Sequence, residues 1–436
     1  MRIIQLTPGT GNFYCGSCLR DNALVRGLRD RGHDTLMVPL YLPLLVDEPS
    51  ASAGTPIFLS GLSVYLSNKF PVPGWLDRAL SAPPLLRLAA GLVSLTSARQ
   101  LGESAVAMLQ PDAAHAELGR LIAWLRSQPA PDVICLSNSL LTGLAARLKQ
   151  EFRVPVVCTL QGEDSFLDAL PEPYRQCSWK LLAQRCAGID HFIAISRYFA
   201  DVMTKRLNLP GGRVSVVYPG VDVDEYGSGT GVSPVRFSNT GLFSNGNSQA
   251  RRPCHYPVIG FLARMNPAKG LDTLVEAFLQ LKTPGARLHI AGAMTSLDKK
   301  FVSSLRQKLG DRAEFLPNLD RAAKADFLRR LTVFSVPATY GEAFGLYVLE
   351  AQAAGVPVVQ PRHGAFPEVL AATGGGLLCE PNQPAALAAA LDGLLADPAR
   401  ARQLGTAGRR AVQEKFSTSA MIANTAAILQ KVTHAR

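Results

Sequence analysis

Two glutamates, Glu342 and Glu350, stand in the segment Gly341-Glu342-Ala343-Phe344-Gly345-Leu346-Tyr347-Val348-Leu349-Glu350. The segment follows a β-branched run at 333–336 and opens a helical pattern that runs to Ala354. Gly345 at the helix start would let a ligand approach bare backbone. Free N–H groups and the helix dipole there favour a phosphate. Glu350 falls five residues into this helix, about 7.5 Å along its axis. A carboxylate at that height can accept two hydrogen bonds from vicinal ribose hydroxyls, as the acidic residue of a dinucleotide-binding fold does. Glu342, ahead of the helix, is placed to meet sugar hydroxyls. Either glutamate alone reads as a surface carboxylate; the strand, the glycines and the helix around the pair carry the functional reading.

A second cluster lies in Gly260-Phe261-Leu262-Ala263-Arg264-Met265-Asn266-Pro267-Ala268-Lys269-Gly270. Arg264 and Lys269 follow a strand and precede a helix, at the carboxyl edge of a sheet where open α/β folds bind ligands. A guanidinium fork and an ammonium point charge suit a diphosphate. The plainer reading is two solvated cations in a loop.

Alternating short strands and helices must position these groups. Apolar runs at 2–6, 34–38, 132–136, 154–160, 190–195 and 214–217 read as strands of a first half. Runs at 258–262, 287–291, 333–336 and 356–360 read as strands of a second. Helical patterns at 271–282, 297–309 and 386–395 fall between them. Strands this apolar, without clean alternation, suit parallel sheets covered on both faces, hence a doubly wound α/β architecture. The polar, glycine-rich stretch 226–256 has no periodicity and reads as a linker extension between residues 1–225 and 257–417. The Leu-, Pro- and aromatic-rich segment 59–110 reads as a helical insertion in the first domain. Its apolar residues, with Lys69, Arg78, Arg87 and Arg99, would border an acceptor channel, touch anionic lipid or pack as a plain cap.

Composition narrows the classes further. Of 436 residues, 47% are hydrophobic and 18% charged, which excludes a disordered chain. No uncharged apolar run approaches the ~18 residues of a membrane span. The N-terminus reads as a first strand rather than a signal peptide. Eight cysteines are too few for a disulfide scaffold, so reduced thiols and a cytoplasmic setting are expected. Lys and Arg number 45 against 34 Asp and Glu, which predicts anionic partners. The basic residues form no run, which argues against nucleic acid. The seven histidines lack ligand spacing, so no metal is expected. Asp222-Val223-Asp224 spells a D-x-D, but it sits after a strand in a loop and is discounted as a metal motif.

These segments resemble the retaining glycosyltransferases of family 4, and the resemblance covers nearly the whole chain. Glu342 and Glu350 match the family's E-x7-E motif, and Arg264 and Lys269 its diphosphate-binding pair. Arg31-Gly32-His33-Asp34, the stretch 190–196 and Tyr218-Pro219-Gly220-Val221-Asp222 also match. The resemblance implies the α/β GT-B fold, with two Rossmann-like doubly wound domains facing across a cleft. It also implies a last helix, 418–436, crossing back to the first domain. The expected reaction moves a sugar from a nucleotide diphosphate sugar to an unidentified sugar, lipid or small-molecule acceptor. Arg264, Lys269 and Glu342 form the expected catalytic set. Gly16, Phe344, Gly345, Leu346 and Glu350 form the expected donor-binding set. Gly16 enters by alignment with a family glycine whose backbone reaches the donor phosphates; here Cys15-Gly16 replaces the usual Gly-Gly.

Gln161 stands where many family members have a histidine, and a glutamine cannot titrate. Gln161, Glu163 and Asp164 are the candidate acceptor-side residues, the two acids equally readable as helix caps. Cys15 and Cys18 form a single C-x-x-C at a helix start, with no second pair for zinc; either the two thiols merely pack, or their oxidation slows transfer. Beyond the nucleotide sugar, no cofactor is expected. The site of action would be cytoplasmic, including the inner face of an anionic membrane. The alternatives are another GT-B enzyme such as a sugar-nucleotide epimerase, and a non-catalytic protein that binds anionic surfaces. A phosphorylase would carry a pyridoxal phosphate lysine in its own signature, which is not seen.

Overall fold

The computed structural model describes residues 1–9, 16–44, 49–52, 54–58, 98–110, 115–227 and 256–435. Among them the apolar runs form strands β1 (Arg2–Thr7), β2 (Asp34–Pro39), β3 (Val133–Leu136), β4 (Val156–Leu160), β5 (His191–Ala194) and β6 (Val214–Val216). Strands β7 (Val258–Leu262), β8 (Arg287–Gly292), β9 (Ala313–Pro317), β10 (Val333–Phe334), β11 (Val358–Pro361) and β12 (Gly376–Cys379) follow. All pairings are parallel, and the strands make two six-stranded sheets, ordered β2-β1-β3-β4-β5-β6 and β12-β11-β10-β7-β8-β9. Each sheet therefore reverses its winding once, between β1 and β3 in the first and between β7 and β10 in the second. Ligands of doubly wound folds sit at such reversals.

The central strands are buried on both faces: every residue of β3, β4 and β7 is buried. The strands β9 and β12, which local pattern does not announce, are the two edges of the second sheet. The run Ala313-Glu314-Phe315-Leu316-Pro317 carries exposed Glu314 and Pro317, and β12 begins inside a Gly-Gly-Gly turn. An edge strand is buried on one side only, so its apolar signal is weak. Strand β10 is shorter than its apolar run: Ser335 still donates to the Gly260 carbonyl at 2.9 Å, and Ala338 then bonds back to Val336 at 2.8 Å around Pro337. The helix expected over 271–282 stops at Leu279, because the Asp392 carboxylate accepts the N–H groups of Lys282 and Thr283, both at 3.0 Å.

The chain divides into two compact units, Met1–Gly220 with Phe416–Arg436, and Val221–Lys415. The last helix, Thr418–His434, starts at Ser417, whose hydroxyl accepts the Ala420 N–H at 3.2 Å. Its Met421, Ile422 and Leu429 share a core cluster with Ile3, Leu24, Leu28 and Val133 of the first unit. Of the segment 59–110, the described part is 98–110, which carries the helix Ala98–Leu109. The remainder, with Lys69, Arg78 and Arg87, and most of the 226–256 linker lie outside the described residues.

Candidate active site

In the second unit, the neighbours β7 and β10 bring the loops that follow them together. Thr339 donates to the Ala268 carbonyl through N–H at 3.0 Å and through its hydroxyl at 3.3 Å. Gly270 makes this approach possible: a Cβ there would stand 1.8 Å from the Pro337 carbonyl oxygen, at a φ of +71°. The turn Pro267–Lys269 is capped by Asn266, whose side chain accepts the Lys269 N–H at 3.1 Å. This turn delivers the Lys269 side chain to Glu342.

The Lys269 ammonium donates to Glu342 Oε2 and, at 2.6 Å, to the Tyr340 hydroxyl. Tyr340 and Tyr347 also donate to Glu342 Oε2, at 3.2 and 2.9 Å. Lys269 lies 5.1 Å from the centre of the Tyr340 ring and 5.5 Å from that of Tyr347, within cation–π range. Burial lowers the Lys269 pKa, but the Glu342 charge and the hydrogen bonds to Glu342 and Tyr340 outweigh it, so the net shift is upward. Burial, then the Glu342 charge, push the Tyr340 phenol up to about 12 and Tyr347 well above its usual range. All three groups are therefore protonated donors at neutral pH. Among the described residues, Glu342 Oε1 accepts no hydrogen bond.

Gly345 caps the helix Leu346–Ala353 with φ +82°. A Cβ there would meet the Phe366 ring at 2.8 Å, so both backbone and packing require glycine. The Glu342 carbonyl accepts the Ala365 N–H at 2.9 Å, which fastens the loop after β11 beneath the motif. The Phe344 side chain is buried at 2% exposure, which leaves only its main chain for contact with any ligand, while Leu346 is half-buried. Glu350 is only 8% exposed and forms a 2.7 Å ion pair with Lys324 from the helix Arg321–Arg329. Arg264 is half-exposed and faces Asp298 at 3.6 Å. Asp298 itself accepts the Thr295 N–H and hydroxyl at 2.9 and 2.6 Å. Arg264 and Lys269 thus have separate carboxylate partners.

In the first unit, Gln161 donates through its side-chain amide to the Ser137 carbonyl. Glu163 is only 7% exposed. Its Oε1 accepts the Ser139 N–H and its Oε2 the Gln161 N–H, each at 2.7 Å. Burial raises the Glu163 pKa, and these amides oppose the rise. Asp164 is half-buried and its pKa is also raised by burial. Beside them, at the β1/β3 reversal, Asp21 is fully buried and accepts the Ser137 hydroxyl, with Arg20 3.5 Å away. Burial drives the Asp21 carboxyl up to about 6, against the lowering effect of Arg20, Ser137 and Gln5.

Gly16 opens the helix Gly16–Asp30 with nothing within 4 Å of a would-be Cβ. Cys18 is 1% exposed and packs with Val25, Met37, Leu44 and Ala51. Cys15 lies outside the described residues. Asp222 of the D-x-D accepts the Asp224 N–H at 3.0 Å as the cap of a short turn. Among the described residues no group of three metal-ligating side chains gathers, and no helix is long and apolar enough to cross a membrane.

Residues 247–411 match the family Glycosyl transferases group 1, and residues 103–225 match Glycosyltransferase Family 4. The chain belongs to glycosyltransferase family 4. A D-inositol 3-phosphate glycosyltransferase of Xylanimonas cellulosilytica is 31% identical over 287 residues, which cover 63% of this chain and 66% of that protein. One from Streptomyces avermitilis is 30% identical over 55% of this chain and 51% of its own length. The chain thus spans between half and two thirds of these curated relatives. Among solved structures, sucrose-phosphate synthase from Thermosynechococcus elongatus superimposes with a TM-score of 0.72 at 20% identity, covering 100% of both chains. HepE of Anabaena in complex with UDP and glucose gives 0.69 at 17% identity, covering 99% of each. The fold is GT-B.

Within this family member, Lys324, Tyr340 and Asp298 are site neighbours that sequence reasoning passed over. Lys324 sits on a helix with Arg321 and Arg329, capped by Arg330, where one more cation gives no signal. Tyr347 did carry one: a tyrosine in the first turn of a mostly apolar helix, five residues after Glu342.

Proposed function

We propose that the chain transfers a glycosyl group from a nucleoside diphosphate sugar to an acceptor hydroxyl, with retention at the anomeric carbon. The observation that carries this reading is the convergence of Lys269, Glu342 and the Gly345 helix start at the winding reversal of the second sheet. Breaking the anomeric C–O bond loads negative charge onto the departing diphosphate. Lys269, Arg264 and the N–H groups at the start of the helix Leu346–Ala353 supply positive potential before the bond breaks, so no reorganisation is needed during reaction. Glu350, at the depth of its helix where a ribose would lie, offers a carboxylate to the vicinal diol, with Lys324 holding it. Glu342 Oε1 offers an acceptor to a sugar hydroxyl. The cations take the part that a divalent metal plays elsewhere, so turnover is expected to continue in EDTA. Retention follows the family resemblance.

The relatives' names include an inositol phosphate and a sucrose phosphate, so a hydroxyl-rich acceptor fits this reading. The excess of Lys and Arg, 45 against 34 Asp and Glu, suits work in the cytoplasm against an anionic membrane face. The test is thermal shift and nucleotide release across a panel of nucleotide sugars. A bound donor at 100 times its dissociation constant stabilises the fold by about 2.7 kcal/mol. Glu350→Gln keeps the side chain's shape and removes its charge, and is expected to shrink that shift. An undiminished shift would exclude Glu350 as the ribose ligand.

A further inference from the structure

Tyr347 has no part in the reading above, yet its hydroxyl is directed to Glu342. Its ring lies 6.2 Å from Phe334 and 6.4 Å from Phe366, centre to centre. A phenylalanine would keep both of these ring contacts. A phenol placed in that setting must find an acceptor or its burial is unfavourable, so the hydroxyl is explained by its partner and not by packing. That partner is Glu342 Oε2, which already accepts hydrogen bonds from Lys269 and Tyr340. Three donors crowd one carboxylate oxygen, while Oε1 accepts nothing among the described residues.

The crowding has a physical consequence for catalysis. Lys269 is the one charged donor of the three, and under the reading above a departing diphosphate competes with Glu342 for it. If Lys269 alone held the carboxylate, each approach of the ammonium to a phosphate would release Glu342. A phenol bonded to the carboxylate and not to the ammonium would keep its hold when the ammonium turns away. Tyr340 contacts both Lys269 and Glu342, so it moves with either. The Tyr347 hydroxyl bonds the carboxylate and not the ammonium, which lies 5.5 Å from the centre of its ring, and it does so from the first turn of the helix that Gly345 begins.

We propose that Tyr347 is a positioning residue that holds Glu342 Oε2 independently of Lys269, so that Oε1 meets a hydroxyl of the donor sugar while Lys269 serves the diphosphate. The proposal rests on the donor-site reading given above. It separates two affinities that a purely packing role would change together. The free nucleoside diphosphate has no sugar hydroxyl for Oε1 and is indifferent to Tyr347. The sugar nucleotide is not.

The experiment is calorimetric titration of UDP, ADP and GDP and of the corresponding glucose nucleotides into the full chain, its Tyr347→Phe and Glu342→Gln variants and the double variant. For whichever base binds, Tyr347→Phe is expected to lower the preference for sugar nucleotide over free diphosphate roughly tenfold, the scale of one hydrogen bond to a charged group. In the Glu342→Gln background the same substitution is expected to change that preference no further, because Tyr347 acts through Glu342. An unchanged preference in Tyr347→Phe, or an equal loss in both backgrounds, overturns the proposal and leaves the donor-site reading intact. Absence of binding by the unaltered chain to every nucleotide overturns both. Should Tyr347→Phe fail to fold, a difluorotyrosine at 347 keeps the shape and changes only the phenol's acidity. The preference must then move in the Glu342 chain and stay still with Glu342→Gln.

Discussion

Glu163 and Glu342 occupy comparable places in the two units, each beyond the carboxyl end of a parallel strand, β4 for one and β10 for the other, Glu163 as the first residue of the helix Glu163–Asp168 and Glu342 in the loop before the helix Leu346–Ala353. Their surroundings differ in kind. Glu163 gives both oxygens to backbone N–H groups at 2.7 Å and ties the loop after β4 to the loop after β3. Glu342 is held through one oxygen by three side chains and keeps the other without a partner among the described residues. Backbone amides cannot move without moving the chain, so the first arrangement is a strut. Side-chain donors can be exchanged for those of a ligand, so under the proposed function the second serves as a receptor. Two carboxylates that look alike in a string of letters are separated by the type of donor facing them.

Substitutions can break this contrast. The largest effect belongs to the receptor: Lys269→Ala is expected to lower turnover by roughly 10²–10³ with the fold retained, the scale of removing one transition-state donor. Full loss of the unaltered enzyme's activity in EDTA, restored by magnesium, would show that a metal and not Lys269 carries the charge. The strut should respond in stability. Glu163→Gln loses a charge-assisted acceptor on two amides and is expected to destabilise the fold by about 1–3 kcal/mol in urea titrations. A Glu163→Gln chain of unchanged stability but abolished transfer would move Glu163 to the receptor side.

The smallest effect concerns the buried carboxyl beside the strut. The Asp21 carboxyl titrates at about 6 in the fold, above its unfolded value, because burial penalises its charge. The folded state therefore binds more protons between about pH 4 and 6, and this group's contribution to stability falls as pH rises through that window. Asp21→Asn is expected to remove that downward slope. Urea midpoints measured across pH 4–7 check it, and an unchanged slope would place the titration elsewhere.

Much of this site was legible before any coordinates. The run 333–336, Gly345 and the apolar helix behind it announce a strand, a turn and a helix start, and the structure has β10, a left-handed Gly345 and Leu346–Ala353. The edge strands β9 and β12 were not legible, since half their surface faces away from the core. The role of Glu163 was open between helix cap and acceptor ligand, because a local pattern does not reveal that Ser139, 24 residues earlier, supplies one of its donors.

The amino-acid sequence by itself determined the βα rhythm, the cations of the loop after β7, and the spacing that sets Glu342 before a helix and Glu350 within it. These follow from periodicity and backbone preference, which act over a few residues. Only the tertiary structure decided who faces whom. Lys269 meets Glu342 across 73 positions because β7 pairs with β10, and Lys324 meets Glu350 across 26 because the turn at 223–226 packs against both of their helices. Strand order in a parallel sheet is settled by how whole βα units cover both faces, a sum over the core that no short window contains. Tyr347 shows the boundary between the two. Its place in the helix was written in the chain, and its bond to the carboxylate appeared only when the loop ahead of that helix was folded against it.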